Sequence, residues 1–258
     1  MSQSWMIASG KGGVGKSTVT AALGISLAQR SIQCCCVDTD IGLRNLDMLM
    51  GMQNSVVYDL MDVAQKNCKL KLATLAHPTY MQLSLLPAAQ LGSVTDISTD
   101  DMKRIVRKLK KHAAYVLLDA PAGVERGLQN LLPASDQAII VTTPDDVAIR
   151  DAERLINLMD QKKAPRPMLI VNRVIPEMVT RGDMYSPQIV ANTLDIPLLG
   201  YIPDDRTVIA SLNNHSTFMD VKCPAHDAID RIAQRFLGEF IPMSTFAKKR
   251  FFFSRKTY

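Results

Sequence analysis

No stretch of this chain approaches the roughly eighteen or more consecutive apolar residues that a membrane-spanning helix needs, although 47% of its 258 residues are hydrophobic. The amino-terminal residues carry neither a secretory pattern nor an Arg- and Ser-rich transit pattern, so a cytosolic chain is expected. Cysteine is scarce and poorly spaced for metal or disulfide chemistry. The five are Cys34, Cys35, Cys36, Cys68 and Cys223, an odd number with no C-x-x-C pair and no histidine spaced to complete a zinc site. An iron-sulfur scaffold would need paired cysteines after a strand, which this chain does not offer. Three consecutive cysteines in an apolar run read instead as small hydrophobes in a buried strand. Hydrolase chemistry lacks its G-x-S-x-G elbow, and His77, His112, His215 and His226 form no local pattern. Internal repeats and low-complexity linkers are also missing before the last residues.

Net charge is +5, and its distribution matters more than its size. Lys248, Lys249, Arg250, Arg255 and Lys256 follow residue 247 with no acidic residue among them, which leaves a body of 25 basic and 25 acidic side chains. A formally neutral body argues against nonspecific DNA binding, which relies on many phosphate contacts. The length suits one core. We therefore divide the chain into a domain over 1–240 and a basic aromatic tail over 241–258.

Short apolar runs recur, each followed by a helix-like segment. They are WMIAS before 16–30, CCCV before 45–64, LSLLPA before 99–112, YVLLD before 124–132, AIIVTT before 148–161, MLIVN before 186–194 and LLGYI before 205–212. A last helix is expected over 225–238. Continuous apolar strands separated by helices predict an α/β fold: a doubly wound, mostly parallel sheet with helices on both faces. Ligands of such sheets sit beyond the carboxyl ends of the strands, so the chemistry should follow each run.

After the first run comes SGKGGVGKST, which fits G-x-x-x-x-G-K-[ST] through Gly10, Gly15, Lys16 and Ser17. Backbone amides of Gly12, Gly13, Val14 and Gly15 can approach phosphate oxygens, and the helix that follows offers its positive end to the same anion. Lys16 would reach the β and γ phosphates, Ser17 would give its hydroxyl to Mg²⁺, and Thr18 is placed for the α phosphate. Lys11 is a second lysine in the same loop. It reads as a solvated side chain or as a cation supplied to the phosphates of a second subunit. Asp38 and Asp40 close the second run two residues apart, a spacing that puts both carboxylates on one side, one near the metal shell and one near the γ phosphate. Asp119 ends another apolar run in the pattern of a carboxylate that holds a Mg²⁺ water.

KGGVGKST resembles the deviant phosphate loop of the MinD/ParA family of P-loop ATPases. DTDIGLRNLDMLMG, VVYDLMDV, LLPAAQ, DAPAGVERG, VTTPDDVAIRDAERL and TRGDM look like that family's division-site branch, in order, from about residue 5 to residue 240. The resemblance implies hydrolysis of ATP with Mg²⁺ in an ATP-dependent homodimer, Lys16 acting in cis and Lys11 in trans. It makes Asp40 the residue that orients the attacking water and Asp38 a metal-shell partner, beside Ser17 and Asp119. It assigns the adenine to Asn172, Pro203 and Asp204, and γ-phosphate sensing to Gly123. Where the family more often has Ser, this chain has Ala120. Arg44, Asn45 and Asp151 match a surface where MinC-like inhibitors and MinE-like activators compete, and the task implied is positioning the division septum. A segregation ATPase that binds DNA and a flagellar-number regulator are the alternatives within the family.

The resemblance also implies that the end of the chain binds the inner face of the cell membrane, through Phe246, Lys248, Lys249, Arg250, Phe251, Phe252, Phe253, Arg255 and Lys256. Composition fits an anionic leaflet better than geometry does. At about 100° per residue the three consecutive phenylalanines spread over about 200° of a helical wheel.

Overall fold

The computed structural model describes residues 2–92, 96–123, 126–214 and 216–246. The apolar runs become strands β1 (Gln3–Ala8), β2 (Cys34–Asp38), β4 (Leu83–Leu86), β5 (Tyr115–Asp119), β6 (Gln137–Thr142), β7 (Met168–Val174) and β8 (Leu198–Pro203), with a two-residue β3 (Leu75–Ala76). Among the described residues these form one sheet in the order β3-β4-β2-β5-β1-β6-β7-β8. Every pairing is parallel except that of β3 with β4. Strands of a sheet covered on both faces have no polar side to show, which is why each run lacks alternation.

Alternate side chains of one strand feed two separate cores. Met6, Cys35, Val37, Leu118 and Ile140 point to one face, where α3 (Leu60–Ala64), α5 (Thr99–Leu109), α7 (Asp146–Gln161) and α9 (Pro187–Leu194) cover them. Ile7, Cys34, Cys36, Leu117 and Ile139 point to the other, under α1 (Lys16–Gln29) and α11 (Pro224–Phe236). The cysteines of β2 are therefore packing residues. Burial pushes the Cys35 thiol up to about 12, which leaves it protonated and unreactive.

The helix expected over 45–64 is divided. It becomes α2 (Leu46–Leu49), a 3-10 turn at Gln53–Ser55, and α3. Gly51 at φ +66° ends the first piece, and Asp59 starts the last with a capping box in which its side chain accepts from Met61 and Asp62 while Asp62 accepts from Asp59 N. Three small elements have no counterpart in the sequence reading: α4 (Leu70–Ala73), β3, and α8 (Pro176–Arg181), which runs from a proline at its first position to Gly182 at φ +87°. Contacts continue past residue 240, the boundary expected between domain and tail. Arg235 donates to the carbonyls of Ile241 (2.7 Å), Pro242 (2.9 Å) and Leu199 (3.2 Å), fastening the following segment to edge strand β8. Phe246, assigned to the membrane, packs on Tyr201 with ring centroids 5.0 Å apart. Residues 247–258, with the rest of the expected membrane segment, lie outside the described residues.

Gly24 shows how closely α1 approaches the sheet. A Cβ there would lie 2.6 Å from Cys36 Sγ and 3.2 Å from Leu83 Cδ1. Gly24→Val should lower stability by about 1–3 kcal/mol in denaturant titration through overpacking. Adding Cys36→Ala should recover part of that loss, whereas strictly additive effects would disprove the contact.

Candidate nucleotide site

The order of the sheet decides where the site falls. β1 is central, flanked by β5 and β6, and the chain leaves it first toward one edge and later toward the other. The crevice above such a switch point is where an α/β sheet receives its ligand. The loop from Ser9 to Gly15 occupies it, with Gly13 at φ +79° and Gly15 at φ +91°. Gly15 is the N-cap of α1, so Lys16, Ser17 and Thr18 make up its first turn. Space demands glycine as much as dihedral angle does. A Cβ at Gly15 would stand 2.3 Å from Asn172 Nδ2, and one at Gly10 would stand 2.2 Å from the backbone carbonyl of Asp151. The loop thus rests on α7 on one side and on the end of β7 on the other. Val14 is buried and anchors it, while Gly12 and Gly13 remain exposed.

Lys16 is 6% exposed and its Nζ lies 2.8 Å from Oδ1 of Asp119, which is fully buried. The same ammonium is 3.2 Å from Ser17 Oγ, and Thr20 donates its hydroxyl to the same Asp119 oxygen at 3.0 Å. Among the described residues Asp119 Oδ2 is buried without a hydrogen-bond partner. A buried carboxylate oxygen left unsatisfied, with the Ser17 hydroxyl on the same lysine, is a fit for a hydrated divalent cation. Among the described residues no group of three His, Cys, Asp or Glu could hold a metal, and Mg²⁺ bound by a hydroxyl, a water-bridged carboxylate and phosphates does not need one.

Asp38, expected in the metal shell, also folds the loop that follows it. Its Oδ1 accepts from Asp40 N at 3.0 Å, and its Oδ2 accepts from Asn45 N at 2.9 Å and Leu46 N at 3.0 Å. Both oxygens accept backbone amides that fold the loop carrying Asp40 and Arg44. Asp38 sits beside Asp119 in the register of β2 and β5. Burial and then that neighbouring charge raise its pKa to about 7, against the pull of the Leu46 and Asp40 amides and Lys16. Asp40 is half-exposed at the mouth of the loop, and burial raises its pKa as well.

Beyond the phosphate loop opens a cleft of about 420 Å³, lined by Gly15, Thr18, Asn172, Pro203 and Asp204. The ends of β7 and β8 meet there as expected. Asn172 gives its amide to Val14 O at 2.8 Å, so part of its hydrogen-bonding capacity braces the loop. The apolar wall from Val19, Ile202, Val208 and Phe218 was not picked out from the sequence. Only Ile202 stood in a recognised run; the others come from helices or turns that carry no motif.

Lys11 lies outside the Lys16 and Asp119 cluster. Its Nζ is 3.3 Å from Oδ1 of Asp145, which also caps α7 by accepting from Ala148 N at 3.0 Å. Gly123, at φ +87°, donates its N–H to Ser9 O at 3.0 Å, tying the segment after Asp119 to the phosphate loop. Of the expected partner surface, Arg44 is fixed to Asp47 at 2.6 Å beside Asn45, whereas Asp151 sits on α7, beyond the intervening strands β5 and β1. One chain does not gather these three into a single cluster.

A glycine-rich loop that ends at a helix start, with a lysine and a buried aspartate 2.8 Å apart beside it, defines a P-loop nucleoside triphosphatase. The family model described as ParA, NUBPL iron-transfer P-loop NTPase, matches residues 1–237. The septum site-determining protein MinD of Bacillus subtilis is 42% identical over 246 residues, which are 94% of this chain and 92% of the relative. The solved MinC:MinD cell division protein complex of Aquifex aeolicus superposes with a TM-score of 0.88 at 36% identity, over 95% of this chain and 99% of that one. MinD complexed with Mg-ADP from Pyrococcus horikoshii gives 0.81 at 25% identity, over 92% and 96%. The chain belongs to the MinD branch of the MinD/ParA family of P-loop ATPases. That membership implies ATPase activity and a nucleotide bound with Mg²⁺.

The raised pKa of Asp38 has a consequence for stability. Between its unfolded value of about 4 and its folded value of about 7, this carboxyl binds more protons folded than unfolded, so its contribution is full at low pH and lost as pH rises through 7. Melting without added nucleotide should reveal a decline between about pH 4 and pH 7 that Asp38→Asn flattens. A slope unchanged by that substitution would assign the titration elsewhere.

Proposed function

We propose that this chain is an ATP-dependent dimerising switch that hydrolyses ATP to ADP and phosphate with Mg²⁺, cycles on and off the membrane, and positions the division septum. The observation that carries the reading is the separation of the two loop lysines. Lys16 belongs to the buried cluster with Asp119, whereas Lys11 is held by Asp145 outside it. A cation outside its own cradle supports delivery to a second subunit, where it would offset charge developing on the γ phosphate.

In this reading the amides from Gly12 to Gly15 and the first turn of α1 hold the phosphates, and Lys16 moves from Asp119 to the β and γ oxygens. Ser17 and Asp119 would hold Mg²⁺, which when bound neutralises phosphate charge. Asp40 orients the attacking water, and Gly123 senses the γ phosphate through its tie to Ser9 O. Asn172, Pro203 and Asp204 receive the adenine in the cleft above Val19 and Ile202. Because the complete site needs Lys11 from another copy, hydrolysis is coupled to dimerisation, and the nucleotide acts as a timer.

A surface around Arg44, Asn45 and Asp151 would recruit a MinC-like inhibitor and a MinE-like activator, a reading supported by the Aquifex complex that the fold matches. Among the described residues no helix is long and apolar enough to cross a membrane. Attachment is assigned to the tail, whose five basic groups offer at most about 5 kcal/mol at an anionic leaflet before ordering costs. One such tail is marginal, and two on a dimer act at high effective concentration, which makes attachment follow the nucleotide. The neutral body disfavours the DNA-segregating alternative.

Lys11→Ala should abolish ATP-dependent dimerisation in sedimentation velocity while monomers still bind nucleotide; normal dimers would remove Lys11 from this role. Sedimentation with anionic liposomes should give a fraction bound in ATP and not in ADP, lost when the chain ends after Phe246. A nucleotide-dependent fraction that survives truncation would contradict the assignment to the tail.

A further inference from the structure

The amino-terminal ends of the strands, opposite the nucleotide site, carry a second cavity that the proposed switch does not use. It measures about 580 Å³ and lies between α4, the edge formed by β3 and β4, and the last turn of α5. Its buried lining is apolar, from Cys35, Leu109 and Ala113, with Leu70 closing one side. Its exposed lining carries three lysines, Lys71 from α4 and Lys108 and Lys111 from the end of α5, beside Ala76 and His112. No carboxylate lines it. Among the described residues Lys71, Lys108 and Lys111 make no ion pair, whereas nearby Lys110 is matched to Asp136 at 2.5 Å.

Basic residues at a helix end complement its dipole, which accounts for lysines on the last turn of α5. It does not account for Lys71, which comes from another helix, or for an apolar floor beneath the charges. The volume lies in the range of small-molecule pockets, and such pockets pair an apolar body with a few polar groups that fix the ligand. Inorganic phosphate would leave the floor unused, and a neutral hydrocarbon would leave the cations unused. We propose that this cavity binds a single acyl chain with an anionic head, the chain lying on Leu70, Leu109 and Ala113 and the head meeting Lys71, Lys108 and Lys111. Such a ligand is supplied by a free fatty acid or by an anionic phospholipid. The cavity's lining shares no residue with the cleft beside the phosphate loop.

The test is an NMR titration of the isotope-labelled full chain with monomeric decanoate, a short-chain phosphatidylglycerol, decanol and inorganic phosphate. Decanoate or the phosphatidylglycerol should shift the amides of 70–76 and 108–113, and the tighter of the two identifies the source. Decanol and phosphate should each bind about tenfold more weakly or worse. Two variants keep the outcome decisive: Ala76→Trp, at an exposed position on the cavity wall, and the double substitution Lys108→Glu, Lys111→Glu. Each should weaken decanoate or phosphatidylglycerol binding about tenfold and leave ATP turnover unchanged. Shifts confined to other residues, equal binding of decanol and decanoate, or indifference to both variants would overturn the proposal. Because the readout is local to α4 and α5, its failure is distinct from a failure of the tail to bind membrane.

Discussion

Two charges removed from water, Lys16 and Asp119, set the terms for everything around them. They meet at 2.8 Å at 6% and 0% exposure. Burying such a pair is costly, and breaking it without a replacement leaves an uncompensated buried charge, worth about 3–5 kcal/mol. The surroundings therefore have to hold the pair firmly and still offer it an alternative partner. Thr20 and the first turn of α1 do the first, and the open side of the phosphate loop does the second. A buried carboxylate oxygen with no protein donor marks where the second partner enters.

The rest of the crevice is assembled on that pair by close approach rather than by many bonds. Gly10 lies against the backbone of α7, Gly15 lies against Asn172, and Gly123 is tied to Ser9. Helix α7 carries Asp151 and is capped by Asp145, the same residue that holds Lys11. Asp38 organises the loop that carries Asp40 and Arg44 from the other side. The phosphate loop thus touches α7 directly at Asp151, and Asp38 joins Asp40 to the segment of Arg44 and Asn45.

Much of this was legible in the sequence, for reasons that differ by element. The seven apolar runs translate directly into strands because burial on both faces leaves no other pattern. The phosphate loop is legible because its glycines answer to steric limits that admit nothing else. The segment 45–64 was misread as continuous because its apolar spacing suits one helix. The signals that divide it, Gly51 and the Asp59 to Asp62 box, act locally on a chain that tertiary contacts then fix. The hydrogen bonds of Asp38 were not legible because strand position gives the side of a carboxylate, not the backbone amides that reach it. β3 and α4 carry too few residues to show a period. The apolar wall of the cleft beside the phosphate loop is assembled from residues far apart in the chain, and no spacing rule links Val19 to Phe218.

The central claim is that one chain holds an incomplete catalytic site and a second copy completes it. ATP turnover per subunit, measured with Mg²⁺ across a wide range of protein concentration, tests this most directly. Turnover should rise with concentration and level off where dimers dominate. A turnover per subunit that stays constant down to concentrations at which sedimentation detects only monomer would contradict it.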